Sequence, residues 1–224
     1  MIPTALITGA SGKLGNRIAA HLSARGFHLV LHGFGHTPCM HAADDEVLRA
    51  DLSGWEGVKI LERRLGEGDI GLFVNCASLF MRGSYSELDF QQLSRIFAIN
   101  VHAPTVLTRA LALGRMGAGN PVPGHVIHLL DSKILLRNSR YAAYTLSRKT
   151  LVQAAEMAAL EYPGILRVNA ICPKEIGLPE TGETIENLLR IMDGLLDDQS
   201  SNSRCLFLDG SERALASFFP EEGF

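Results

Sequence analysis

Short apolar runs alternate with longer amphipathic segments along most of this chain, and this alternation restricts the possible folds more than any other feature. The first run, Ala5 to Thr8, ends at a glycine, and Leu14 to Ser23 then places apolar residues at helical spacing. Further strands are predicted over residues 27–31, 47–52, 70–77, 125–130, 166–171 and 205–208, and further helices over residues 55–65, 88–115, 141–161 and 185–196. Pro104 is expected to bend or break the longest helix. Because helices between strands act as crossovers, the order predicts an α/β fold with a doubly wound parallel sheet.

Length and composition limit the number of domains and the class of partner. The chain has 224 residues, of which 46% are hydrophobic. This length is enough for one domain with a hydrophobic core and is short for two domains. No linker or repeat interrupts it, so residues 1–224 are predicted to form a single domain. The net charge of -3 leaves no basic excess for nucleic acid. Without a leader-like N-terminus or a run of about eighteen apolar residues, we expect a cytoplasmic protein with no membrane span.

The cysteines and histidines do not form a metal-binding pattern. The four cysteines lack the spacing of a zinc site and are expected to be reduced and mostly buried. The eight histidines include His125 and His128, and His32 and His36, but no pair has a neighbouring carboxylate at ligand spacing, so no metal site is predicted.

The segment from Thr8 to Gly15 lies between the first predicted strand and the first predicted helix. Gly9 permits a sharp turn, Gly12 lets the backbone approach a phosphate, and Gly15 allows close packing of helix on strand. Backbone N–H groups at the start of the helix would then face an anion. The glycines could serve turn geometry alone, but their position favours a dinucleotide. The candidate cofactor-binding residues here are Gly9, Ser11, Gly12, Lys13, Leu14 and Gly15.

This turn and several later segments resemble, in order, the motifs of the short-chain dehydrogenase/reductase family. The turn is similar to T-G-x-x-x-G-x-G, with Lys13 in place of the middle glycine. The resemblance covers residues 4–211 and implies a Rossmann-type fold. Further matching segments are Asp51-Leu52, Asn75-Cys76-Ala77-Ser78, Tyr144 to Arg148 for Y-x-x-x-K, and Asn169 to Pro173 for N-x-x-x-P-G. From these the resemblance implies additional cofactor contacts at Asp51, Leu52, Asn75, Ala77 and Pro173.

The same resemblance implies that Tyr144 donates a proton to the substrate. Arg148 stands where the family has lysine, and both residues project from one face of a predicted helix because they are four apart. Arg148 keeps the positive charge but carries a wide planar fork. Lys149 cannot replace it, because one further residue turns the side chain about 100° around the helix. Asn100 is implied to hold a water molecule in a proton relay.

Four residues resemble those of the pteridine reductases and dihydromonapterin reductases within the family. Asp131 stands where most members have serine, and Ser78 with Phe80 matches the N-A-S-x-aromatic segment that holds the pterin. Lys13 is also similar to an arginine of their glycine-rich turn. Taken singly, Asp131 could be a turn residue and Phe80 an ordinary loop aromatic. Together these matches favour a pterin-like ring held by Ser78 and Phe80.

The residues after the second predicted strand bear on the choice of dinucleotide. An acid at this point would bind the ribose 2′-hydroxyl of NAD, but the sequence reads His32-Gly33-Phe34. Lys13 could instead meet a 2′-phosphate. We therefore expect NADP(H), with NAD(H) less favoured.

The resemblance implies an NADPH-dependent reductase of a small conjugated carbonyl or imine. It also implies a homodimer or homotetramer formed through residues 88–115 and 141–161. An alternative is suggested by three departures from the family pattern. Arg148 stands in place of lysine, Lys174 stands in place of glycine, and a short segment, residues 175–183, stands in place of a substrate lid. In that alternative the chain binds the cofactor but is catalytically impaired, and acts as a sensor or partner subunit.

Overall fold

The structure, a computed structural model, describes residues 3–135, 140–173 and 182–218. Within these residues the chain forms strands and helices in the predicted order. The strands are β1 Thr4–Thr8, β2 His28–Gly33, β3 Glu46–Arg49, β4 Ile70–Asn75, β5 Gly124–Leu129, β6 Leu166–Cys172, β7 Arg204–Phe207 and β8 Glu212–Ala214. The helices are α1 Lys13–Ala24, α2 Trp55–Gly66, α3 Phe90–Phe97, α4 Ala103–Gly117, α5 Ala142–Glu161 and α6 Gly182–Asp197.

The strands form one sheet in the order β3-β2-β1-β4-β5-β6-β7-β8. Neighbouring strands from β3 to β7 are parallel, and β8 alone of the described strands pairs antiparallel, with β7. The predicted doubly wound, Rossmann-type α/β fold is therefore confirmed. The sequence missed β8 because its three residues are all exposed and give no apolar signal. Strict alternation also fails twice, since residues 34–45 join β2 to β3 and residues 208–211 join β7 to β8, in both cases without a helix.

Both faces of the sheet are buried, which explains why its strands read as continuous apolar runs. Leu6 and Phe73 face α2, α4 and α5 in one apolar cluster. Their chain neighbours Ile7 and Val74 face α1 and α6 in the other. The sheet thus places the carboxyl ends of its central strands at one edge, between two helical layers.

The predicted helix 88–115 is interrupted just before Pro104. Residues Ala98–His102 form a π turn between α3 and α4, in which the Ala103 N–H donates to the Ala98 carbonyl. Pro104 then lies in the first turn of α4, where a missing N–H costs no helical hydrogen bond. The expected break is present, and it consists of a wider turn that carries Asn100.

The helical stretch Phe90–Gly117 is the one described stretch that is long and apolar enough to span a membrane, with a mean hydropathy of 1.4. Ile96, Leu107 and Leu111 on this stretch are fully buried. It packs against α2, α5 and the sheet. Its apolar character is therefore that of a core helix.

Candidate functional site

A cavity of about 500 Å³ opens at the carboxyl ends of β1, β2 and β4. Ligands of open α/β sheets bind at this edge, where the strand order reverses. The cavity wall contains most of the residues predicted to bind the cofactor or substrate: Gly9, Ser11, Gly12, Lys13, Leu14, Gly15, Asp51, Leu52, Ala77 and Ser78. The structure therefore brings together residues that lie up to 69 positions apart in the sequence, from Gly9 to Ser78.

The glycine-rich turn is fixed by backbone contacts that side chains would block. Gly9 has a φ of +70°, and a Cβ there would lie 2.9 Å from Cα of Ala77. A Cβ at Gly15 would collide with the Gly9 carbonyl oxygen. Gly12 has more room, and its N–H donates to the Gly9 oxygen at 3.0 Å. These contacts hold the turn directly against the loop that follows β4.

The first turn of α1 is open to an anionic ligand. Gly12 is the N-cap residue and provides no side-chain cap, and no acidic residue lies in the first turn. Exposed Lys13 and exposed Arg95 both line the cavity. The free N–H groups and two cations form a suitable environment for phosphate oxygens.

Of the residues in the cavity wall that the sequence analysis missed, three carry ring or charged side chains: His32, Phe34 and Arg95. Phe34 and His32 lie at the carboxyl end of β2, so the rule that ligands bind at this edge could have identified them. Nothing in the sequence distinguishes Arg95 from other exposed helical cations. Further wall residues that were not predicted are Cys76, Leu79, Ile99 and Leu129.

His32 connects the glycine-rich turn to the segment before Asp51. Its Nδ1 accepts from the Gly9 N–H at 3.3 Å, and its Nε2 lies 3.0 Å from the Ala50 carbonyl oxygen. These partners require the neutral ring with its proton on Nε2. Burial lowers the pKa of His32, which keeps the ring neutral. The nearby Asp51 carboxylate accepts the Ser53 N–H at 2.9 Å and lines the cavity.

Asn75 and Pro173 are not among the described residues that line this cavity. Asn75 is buried beneath it, where it accepts from the Thr8 hydroxyl at 3.3 Å and lies 3.2 Å from Nδ1 of His128. The Thr8 hydroxyl oxygen in turn accepts the N–H groups of Cys76 and Ala77. Asn75 thus holds the cavity floor in place. Pro173 is buried after β6, and the segment 174–181, with Lys174 and most of the expected short lid, lies outside the described residues.

Tyr144, Asp131 and Arg148 meet beside this cavity, although none of them lines it. The Tyr144 hydroxyl donates to Oδ2 of Asp131 at 3.3 Å. The Arg148 guanidinium carbon lies 5.2 Å from the centre of the Tyr144 ring. All three residues are at most 1% exposed. The structure therefore brings together Tyr144 and Arg148, which are four residues apart on α5, and Asp131, which follows β5.

Part of the Arg148 guanidinium has no partner. Its Nε and Nη1 are buried and make no hydrogen bond. Burial of His128 lowers the pKa of its ring to about 3, and the positive charge of Arg148 makes a smaller contribution in the same direction. Buried donors without partners are costly, and a ligand that supplies acceptor oxygens would satisfy them.

Phe80 covers the phenol of Tyr144. The two rings meet edge to face with their centres 4.8 Å apart, and Tyr141 lies 5.4 Å from Phe80 on another side. Phe80 itself is 44% exposed. Phe80 therefore contacts the ring of Tyr144 on one side and remains open to solvent on another.

Asn100 fixes the segment that carries Ser78 and Phe80. Its Oδ1 accepts the Leu79 N–H at 2.8 Å, and its Nδ2 donates to the Leu79 carbonyl at 2.9 Å and to the Ser147 hydroxyl at 3.0 Å. The Ser147 hydroxyl donates to the Tyr144 carbonyl. The described contacts of this side chain are therefore with the protein itself, and they connect residues 78–80 to α5.

Comparison with known proteins identifies the family. The family model for short chain dehydrogenase matches residues 3–187. D-beta-hydroxybutyrate dehydrogenase of Cupriavidus necator is 24% identical over 194 residues, covering 82% of this chain and 74% of its own. NADPH-dependent aldehyde reductase 2, chloroplastic, of Arabidopsis thaliana is 26% identical over 195 residues, covering 75% and 70% of the two chains.

Among solved structures, FolM alternative dihydrofolate reductase 1 from Brucella suis in complex with NADP superposes with a TM-score of 0.76. It is 23% identical, and the match covers 93% of this chain and 94% of that one. At this identity the likeness concerns the fold alone. The match of the family model over most of the chain shows that this protein belongs to the short-chain dehydrogenase family of oxidoreductases.

Proposed function

We propose that the chain is an NADPH-dependent reductase of a small conjugated carbonyl or imine, with a pterin-like ring as the first candidate substrate. The observation that carries the proposal is the buried group of Asp131, Tyr144 and Arg148 beside the cavity. A hydroxyl held by a carboxylate and flanked by a cation is suited to proton transfer.

NADPH, when bound, supplies the hydride. Tyr144 then donates its hydroxyl proton to the substrate oxygen or nitrogen. Asp131 accepts the Tyr144 hydrogen bond before transfer and so orients the hydroxyl. Arg148 stabilises the resulting phenolate, because its guanidinium lies over the same ring in a site from which water is largely excluded.

The described residues fit a dinucleotide in three places. The uncapped start of α1 with Lys13 would bind phosphate oxygens. Asp51 and Leu52 line the part of the cavity assigned to adenine by the family resemblance. The unpartnered Nε and Nη1 of Arg148 would donate to ribose hydroxyl oxygens.

The preference for NADP(H) over NAD(H) is also a proposal. Lys13 and Arg95 are the cations in the cavity wall, and Asp51 is the acid there. Phe34 occupies the end of β2, where an acid would favour NAD. Replacing Lys13 by alanine should weaken NADPH binding, measured by fluorescence titration, more than NADH binding, because only NADPH carries a 2′-phosphate. An equal loss for both dinucleotides would contradict this preference.

The catalytic proposal is tested by substituting Tyr144 with phenylalanine. We expect turnover of dihydrobiopterin or dihydromonapterin, followed by NADPH absorbance, to fall on the order of 10²- to 10⁴-fold. NADPH binding should persist, because Tyr144 does not line the cavity. Tyr162→Phe is the matched control, since it removes a hydroxyl just beyond the other end of α5. Wild-type turnover in Tyr144→Phe would refute the proposed proton donor.

The pterin-like substrate is supported by Asp131 beside the phenol and by Ser78 in the cavity wall. The fold of an alternative dihydrofolate reductase makes dihydropterins sensible first substrates to test. Phe80→Ala should raise the KM for a pterin more than for a small aliphatic ketone. Equal effects on both would favour a non-pterin substrate.

A second function is favoured by the burial of Tyr144 under Phe80. With the phenol 1% exposed and lysine replaced by Arg148, the chain could bind the cofactor as a sensor or partner subunit without efficient turnover. Arg148→Lys separates the two functions. A large gain in rate would indicate that natural activity is impaired, whereas a loss would indicate that arginine is part of a working site.

We also propose a homodimer or homotetramer acting in the cytoplasm. Leu113 and Met116 on α4 and Leu146, Met157 and Leu160 on α5 are large apolar residues that remain exposed. Contact between copies through these helices would cover them. Light scattering after gel filtration measures the assembly, and a monomer at micromolar concentration would contradict the proposal.

A further inference from the structure

A histidine and two aspartates meet at the amino end of β2, away from the cavity. His28 begins β2, and Asp44 and Asp45 end the loop that leads to β3. One ring nitrogen of His28 and one carboxylate oxygen of each aspartate lie within 4.8 Å of one another. His32, in the cavity wall, is four residues along the strand, which corresponds to about 13 Å. This cluster is therefore separate from the proposed active site.

The cluster is held in place by contacts on both sides. Nδ1 of His28 lies 3.3 Å from Oδ2 of Asp44. Oδ2 of Asp45 accepts the backbone N–H groups of His41 at 2.6 Å and Ala42 at 2.9 Å. These bonds fix the Asp45 carboxylate in one orientation and leave its other oxygen free for a further contact.

That other oxygen has no hydrogen-bond partner in the part of the chain that the structure describes. Asp45 is 7% exposed, and its Oδ1 is buried without a hydrogen bond. A buried carboxylate oxygen in this state is costly and normally has a donor or a cation nearby. Arg64, which pairs with the adjacent Glu46, is also engaged by Glu67 and Asp69. The cluster therefore combines two carboxylates with one oxygen whose hydrogen-bonding capacity is unused among the described residues.

We propose that His28, Asp44 and Asp45 bind one divalent transition-metal ion, for which Zn²⁺ is the test ion. Imidazole nitrogen favours Zn²⁺ and its neighbours over Mg²⁺ and Ca²⁺, and two carboxylates balance the double charge. The ion would join the start of β2 to the end of the loop 34–45. Because Phe34, at the other end of that loop, lines the cavity, the ion would have a structural role at a distance from catalysis.

The test measures Zn²⁺ bound by the full chain. A Cys39→Ser background removes an exposed thiol that could bind zinc elsewhere. After removal of metal with a chelator, equilibrium dialysis against Zn²⁺ and metal analysis should find one ion per chain. His28→Gln and Asp44→Asn should each weaken binding at least about tenfold, and Asp44 is exposed enough to be replaced without disturbing the fold. His36→Gln, an exposed histidine in the same loop, is the matched control and should bind normally.

A second measurement uses thermal unfolding of the same proteins. Zn²⁺ should raise the unfolding midpoint of the background protein and of His36→Gln, because the ion binds the folded state. The rise should be absent in His28→Gln and Asp44→Asn, and Mg²⁺ should have no such effect. No bound Zn²⁺, or equal affinity in the background protein and both ligand variants, would overturn the proposal.

Discussion

At the scale of single residues, Arg148, where the family resemblance implies lysine, determines how charge is held beside the phenol. The guanidinium lies 5.2 Å from the ring centre of Tyr144 and keeps two unpartnered nitrogens. A flexible ammonium would have three rotatable donors, whereas the planar fork has donors in fixed directions. The position therefore suits a ligand with fixed acceptors, such as the two hydroxyls of a ribose.

The glycine-rich turn gives a prediction at the same scale. Gly15→Ala places a methyl group against the Gly9 carbonyl oxygen, so we expect a loss of about 1–3 kcal/mol in the free energy of unfolding and weaker NADPH binding. Gly66→Ala is the control, because nothing lies within 4 Å of a Cβ there. Urea denaturation and fluorescence titration provide the two measurements. A Gly15→Ala protein with wild-type stability and affinity would contradict the proposed packing.

At the scale of elements, the π turn between α3 and α4 sets the position of residues 78–80. It directs Asn100 inward, where one amide holds both backbone groups of Leu79. Leu79 lies between Ser78 and Phe80, the two residues predicted to hold the substrate. An uninterrupted α-helix would shift the register of every later side chain on α4 by about 100°. The position of residues 78–80 therefore depends on the π turn that directs Asn100 inward.

Removing the amide tests this dependence. Asn100→Ala leaves the Leu79 N–H and carbonyl without partners, so the free energy of unfolding should fall by about 2–3 kcal/mol. The dinucleotide affinity should fall as well, because Leu79 lines the cavity. Asn120→Ala removes one partly buried side-chain hydrogen bond to the Gly68 carbonyl and should cost about 1 kcal/mol or less. Equal unfolding midpoints for the two variants in urea would refute the role given to Asn100.

At the scale of the whole molecule, the central strand β5 carries two buried histidines. His125 and His128 are at most 2% exposed. Burial, with smaller contributions from Arg167 and Arg148, lowers the pKa of each ring to about 3. Both rings lie at hydrogen-bond distance from an asparagine amide, Asn169 and Asn75 respectively. The fold therefore depends on keeping both rings neutral.

This gives a pH dependence of stability. Because each folded pKa lies below the ordinary value near 6.5, the unfolded chain binds more protons between about pH 6.5 and about pH 3. Stability is thus fully present above pH 6.5 and falls as the pH decreases, by up to about 1.4 kcal/mol per pH unit for each histidine. Urea denaturation of His128→Gln from pH 7 to pH 4 should show a smaller decrease in the free energy of unfolding than the wild type shows. The difference should equal the contribution of one histidine. An unchanged slope would contradict the burial of a neutral His128.

Much of the fold and part of the site could be predicted from the sequence. The strands and helices were predicted from the spacing of apolar residues along the chain. The roles of the three glycines in the turn were predicted from the backbone geometry that a strand–turn–helix unit requires. The i to i+4 spacing was enough to place Arg148 beside Tyr144. All of these depend on residues close together in the chain, where local geometry leaves few alternatives.

The tertiary structure decided which distant residues meet. It placed Asn75 beneath the cavity instead of in its wall, brought Arg95 and Phe34 to that wall, and packed Phe80 on Tyr144. It also brought His28 to two aspartates that lie 16 and 17 residues further along the chain, a grouping that the search for histidine pairs did not identify. The physical reason is that these contacts depend on strand register and on the angles between packed elements. Local sequence specifies each element, but the packing of all of them together fixes which side chains share a space.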